Sequence, residues 1–187
     1  MTNKAHALFA QLCQLSSIVL LASTAAAQLP GPTAEHALLK EGVSTWDATM
    51  KMYEASGEEP TVAKATETVE LMPGGMWVLS KFESEFAGMP FTGRGVTGYD
   101  PWKKKYVGTW IDSMSPSLMI SEGEYDPATK TATSYAEGRA PVSGEIIKYK
   151  QVSRTIDANT RTFEMYRPEK DGEFVKMMEI EYKRRGE

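Results

Sequence analysis

From Trp46 onward the chain repeats one pattern: apolar and polar residues alternate with a period of two, run after run, with turn chemistry between the runs. A period of two is the signature of strands with one buried face. Trp46, Ala48, Met50 and Met52 alternate with Asp47, Thr49, Lys51 and Tyr53. In Val62–Met72, the residues Ala63, Ala65, Val69 and Leu71 oppose Lys64, Thr66, Thr68 and Glu70. In Met76–Phe86, Val78 and Phe82 oppose Lys81, Glu83 and Glu85. Seven more runs follow, over Phe91–Tyr99, Lys105–Asp112, Leu118–Tyr125, Thr131–Glu137, Ile147–Ile156, Arg161–Arg167 and Phe174–Lys183. Pro73-Gly74-Gly75, Asp100-Pro101, Asp126-Pro127, Asp157 to Asn159 and Asp171-Gly172 punctuate them; these are turn residues for reasons of φ preference and local side-chain bonding. The spacing, roughly 8–12 residues per strand and turn, is that of an all-β sandwich or barrel. About ten consecutive strands close most simply into an antiparallel up-and-down barrel, which leaves no open edge.

Ahead of the strands, Thr33 can cap a short helix, Glu35 suits its first turn and Gly42 its stop. Residues 1–27 have the form of a secretory signal peptide. Lys4 supplies the positive start, Leu15 to Leu21 an apolar stretch, and Ala25-Ala26-Ala27 the small residues before cleavage. The apolar stretch is shorter than the ~20 residues a membrane span needs. The expected organisation is a signal peptide at 1–27, a flexible linker at 28–34 and a single barrel domain at 35–187, secreted or periplasmic, with no membrane span after cleavage. Of 21 basic and 25 acidic residues, the leader takes only Lys4, so the mature charge is 20 minus 25, or -5. Such a chain has no basic footprint for nucleic acid. The single cysteine, Cys13, leaves with the leader, so no disulfide and no thiolate ligand are expected.

Thr92-Gly93 through Gly98-Tyr99-Asp100-Pro101, followed by Lys105-Tyr-Val-Gly-Thr-Trp-Ile-Asp-Ser-Met-Ser-Pro116, forms a specific motif. Thr66-Glu-Thr68, Gly75-Met-Trp77, Gly88 to Gly93 and Met177 to Ile180 support it. On these residues the chain resembles the exported bacterial family known as domain of unknown function 1579, from about Glu35 to Arg184. The resemblance implies a calycin-like barrel, related in architecture to lipocalins and fatty-acid-binding proteins. It carries no catalytic residues with it.

The chemistry-bearing residues give few site signals. One histidine, His36, remains after the leader, which is a poor basis for zinc, iron or haem. Met177 and Met178, as strand neighbours, should point to opposite faces, so methionine reads as core filler. No Gly-x-Ser-x-Gly elbow is present, and Asp112, Ser113 and Ser115 read as a capped turn. Glu83/Glu85, Glu122/Glu124 and Glu179/Glu181 lie on faces opposite apolar sets and read as solvated. Gly93, Gly95 and Gly108 inside strands mark curvature under an overlying aromatic, or ligand space. Three charges break the alternation. Arg154 sits between Val152 and Ile156, Glu67 among Ala65, Val69 and Leu71, and Arg94 beside Val96. A buried charge is costly unless paired. Either these form a structural pair, or they grip the polar head of a ligand. The leading expectation is a cofactor-free, metal-free binder of a small hydrophobic or amphipathic molecule. Arg154, Arg94 and Glu67 would form its polar end, and Trp46, Trp110, Phe82 and Met178 its apolar lining. A cofactor-free enzyme using Glu67 and a structural or partner-binding barrel with a filled core are the alternatives. Oligomeric state is left open.

Overall fold

The computed structural model describes residues 31–53, 59–86, 88–140 and 143–186. The expected signal peptide and the first part of the linker, residues 28–30, lie outside these residues. Among the described residues one helix, α1 (Ala34–Glu41), precedes ten strands. These are β1 (Ser44–Met52), β2 (Thr61–Leu71), β3 (Trp77–Phe86), β4 (Met89–Asp100), β5 (Lys105–Asp112), β6 (Ser115–Asp126), β7 (Thr131–Arg139), β8 (Ile146–Asp157), β9 (Thr160–Pro168) and β10 (Phe174–Arg184). Each strand pairs antiparallel with its sequence neighbours, and β1 pairs with both β2 and β10, so the meander closes into a barrel. Closure satisfies the edge hydrogen bonds that an open sheet would expose. Among the described residues no helix is long and apolar enough to cross a membrane.

The alternation places Trp46, Ala48 and Met50 of β1, Val69 of β2, Val78 and Phe82 of β3, and Ile180 and Tyr182 of β10 in one buried cluster. Each large apolar side chain so buried contributes about 1.5–3 kcal/mol. A second, smaller cluster joins Ala136, Tyr149 and Met165 across β7, β8 and β9.

Helix α1 begins where the Thr33 residue predicts. The Thr33 backbone N–H donates to Nδ1 of His36 at 2.9 Å, satisfying a donor at the helix start. His36 is 2% exposed and meets the Tyr99 ring edge-on. Tyr106 donates its hydroxyl to the Glu35 carbonyl at 3.0 Å, and burial raises that phenol to about 12, so it stays a donor. The helix thereby packs at the end of the barrel where β3 starts and β4 finishes.

Three register shifts interrupt the ladders, between Trp110 and Asp112, Thr155 and Asp157, and Lys176 and Met178. The first inserts two residues on β6 and the other two insert one each, and each bends its strand. The last one changes a side-chain direction. Met177 is the extra residue, and both Met177 and Met178 line the interior. The expectation that these two point to opposite faces is therefore corrected.

Candidate functional site

Ten strands enclose more room than the eight whose side chains just fill a barrel, and small residues keep that room open. Ser80, Gly95, Gly108, Ser121, Gly123, Ala132, Ser134 and Ser153 all face inward on β3 to β8. They oppose the large residues of β1, β9 and β10 across a cavity of about 880 Å³. That is within the usual range for small-molecule pockets, about 300–1,000 Å³.

The cavity has a polar end under α1. Glu67 of β2, 9% exposed, accepts from Nη2 of Arg161 on β9 at 2.5 Å. The Tyr182 hydroxyl also hydrogen-bonds to Glu67. Burial raises the Glu67 carboxyl above its usual range, while Arg161 and Tyr182 act in the other direction. Tyr182 is itself raised well above its ordinary value, by burial first and by Glu67. The Arg161 guanidinium lies 4.5 Å from the Trp46 ring centre and 4.4 Å from that of Tyr182. Arg184 stacks on Trp46 as well, at 4.3 Å. Its N–H groups donate to the carbonyls of Glu41, Val43 and Ala158. A cation at carbonyls of the last helical turn is favoured by the helix dipole. Trp46 is 2% exposed and donates its indole N–H to the Gly42 carbonyl at 2.9 Å.

The opposite part of the cavity is soft and apolar. Met165, Met177, Met178 and Met119 gather there with Phe163. Arg161 and Met165 are four residues apart on β9, about 13 Å at roughly 3.3 Å per residue. Between the ends, Trp110 of β5 lies flat against β4. A Cβ built on Gly93 would fall 2.1 Å from the Trp110 ring, and Ser80 and Trp110 would crowd one on Gly95. Only glycine permits that approach, so Gly93 and Gly95 serve an overlying aromatic. Trp110 donates to the Asp112 carboxylate, and Phe82 meets Trp110 and Phe91 edge-on.

The structure thus brings Trp46, Glu67, Phe82, Trp110 and Met178 to one cavity. It does not bring the two arginines inside. Arg154 pairs across the ladder with Thr131 and Thr162 on the outer face of β8, exposed at the cavity rim, its Nε 3.4 Å from the Thr131 hydroxyl. The inward residues of β8 are Tyr149, Gln151, Ser153 and Thr155, so Val152 and Ile156 are outer-face residues and misdirect the reading. Arg94 is likewise exposed, donating to the Thr92 hydroxyl and the Gly93 carbonyl. The partner of Glu67 is Arg161. Its parity with Phe163 and Met165 was the available signal. The carboxylate pairs lie outside, with Glu83 on Lys81, Glu122 on Lys103, and Glu179 on Lys51 and Lys176. Asp112 caps its turn by accepting from the Met114 N–H. Among the described residues no group of three or more His, Cys, Asp or Glu is placed to hold a metal.

A closed ten-stranded antiparallel barrel with one short helix and an interior cavity is a calycin-like barrel. The chain belongs to the family described as protein of unknown function (DUF1579), whose model matches residues 31–184. No curated protein matches it significantly in sequence. Among solved structures, Rv2717c from M. tuberculosis aligns at a TM-score of 0.62 and 11% identity, over 82% of this chain and 99% of that one. At that identity the likeness speaks to the fold alone. A protein of unknown function from the DUF3598 family of Nostoc punctiforme aligns over 82% of this chain and 100% of its own, at 8% identity. Its TM-score of 0.26 carries no argument.

Proposed function

We propose that the protein holds a small hydrophobic or amphipathic molecule inside the barrel. The cavity of about 880 Å³ carries this reading, because it runs from a charged, aromatic end to a thioether-lined one. Empty apolar space on this scale costs stability through lost packing contacts, and a ligand restores them. Methionine suits such a wall because it is unbranched and adapts to irregular shapes. The polar end belongs to Arg161 with Glu67 and Tyr182. Native mass spectrometry of protein purified gently from its own host tests the proposal, together with uptake of an environment-sensitive fluorescent amphiphile. A discrete mass increment and a saturable fluorescence rise are expected. A bare mass and no uptake would refute the reading and leave a barrel without a ligand.

Export through cleavage after Ala27 is proposed on the leader-like pattern of residues 1–27. Intact mass from the native host should give an N-terminus at Gln28; a retained leader would refute it.

A further inference from the structure

We propose that the polar end of the ligand is a carboxylate, taken by the Nε edge of Arg161. The proposal rests on the interior-binding reading above and names the ligand's head group. Three observations carry it. First, Nε of Arg161 is buried and has no hydrogen-bond partner among the described residues. Buried donors are nearly always satisfied, and an orphan marks a place for a missing acceptor. Second, the guanidinium lies against two rings, Trp46 at 4.5 Å and Tyr182 at 4.4 Å, and is tied to Glu67 at a terminal nitrogen. The rings and Glu67 hold the guanidinium in place, so a ligand oxygen meets a largely ordered group and reaches the covered Nε through a local shift of the side chains over it. Third, the charge around Trp46 does not cancel. Arg161 and Arg184 both stack on it, Glu67 is the carboxylate that answers them, and the bonds of Arg184 go to carbonyl oxygens. One positive charge is left over in a partly desolvated setting. A second anion balances it, and a guanidinium binds carboxylate oxygens with short, charge-assisted bonds. Of the other charged residues that line the cavity, Glu41, Glu124, Lys130, Arg154 and Asp157 are exposed at its rim, and Asp112, half-buried, already accepts from the Trp110 indole and the Met114 N–H.

Three probes with one tail and different heads separate the head group from the tail: decanoate, decanol and decyltrimethylammonium, each titrated calorimetrically below its aggregation threshold. Decanoate should bind at least about tenfold more tightly than decanol, as expected for one hydrogen bond to a charged group, and the cation should bind most weakly. The preference should fall below about twofold in the double variant Glu67→Gln with Arg161→Gln, which removes the pair together and strands neither charge. Carbonyl-labelled decanoate gives a second reading that needs no variant. Bound to the wild-type protein, its carboxyl should titrate below its value in water. Equal affinity for acid and alcohol, an upward-shifted bound carboxyl, or a preference surviving in the double variant would each overturn the carboxylate assignment while leaving interior binding standing. Failure of all three probes to bind would overturn both.

Discussion

Replacing Arg161 with methionine tests the inner ion pair in the empty protein. The substitution keeps an unbranched stem between Trp46 and Tyr182 but leaves the 9% exposed Glu67 without its cation. Removing one partner of a buried pair costs roughly 3–5 kcal/mol. The Arg161 side chain retains 27% exposure, so the lower end applies, about 3 kcal/mol. At roughly 2–4 °C per kcal/mol for a chain of this size, the melting midpoint should fall by about 6–12 °C at pH 8. Adding Glu67→Gln should recover about 2 kcal/mol, because the stranded carboxylate is gone. The remaining deficit is the lost stacking of the guanidinium on two rings, on the order of 1 kcal/mol. The pH dependence has a definite sign. Glu67 already titrates above its ordinary 4.5 through burial, and Arg161 acts to lower it. Without Arg161 the carboxyl rises further. A carboxyl raised on folding contributes stability that is present below its unfolded value and lost as pH rises through its folded one. The deficit of the single variant should therefore shrink toward pH 5 and be largest at pH 8, while the double variant, which lacks the carboxyl, shows no Glu67-linked change in its own stability. Thermal melts from pH 5 to 8 read all of this. A single variant within 0.5 kcal/mol of wild type at pH 8, or a double variant less stable than the single, would refute the argument.

Arg154→Met, on the outer face, should change stability by no more than about 0.5 kcal/mol; a loss of several kcal/mol in chemical denaturation would return Arg154 to the interior. Gly93→Ala places a methyl where the Trp110 ring lies, so Trp110 must swing away at a cost of about 1–3 kcal/mol, visible as a changed near-ultraviolet dichroism. An unchanged spectrum and stability would contradict the close packing. His36→Ala removes the acceptor for the Thr33 N–H and should cost about 0.5–2 kcal/mol, as capping losses do. Hydrogen exchange should quicken at residues 34–41, and unaltered exchange there would show that the cap does not hold α1.

Much of the barrel is written locally in the chain. Alternation over Trp46 to Met52, the turn residues at Asp100-Pro101 and Asp126-Pro127, and the Thr33 and Gly42 boundaries are short-range signals, and strands, turns and α1 fall where they point. The inward direction of Trp46, Glu67 and Phe82 was readable for the same reason, since apolar neighbours on their faces agree with one another. Arg154 and Arg94 were not, and the reason is physical. Assigning a face by its apolar residues assumes that the inside is apolar. Around β4 to β8 the inside is a cavity, lined by glycine, serine and glutamine, while Val96, Val152 and Ile156 lie outside. Because the side-chain period is two, choosing the wrong guide residue inverts a whole strand. Met177 escapes in another way, since a single inserted residue turns it inward and nothing in its own sequence announces the bulge. The pairing of Glu67 with Arg161 joins residues 94 positions apart and exists only once β1 has closed against both β2 and β10. Local sequence determined the strands and their number; closure decided which charges meet and how much space is left between them.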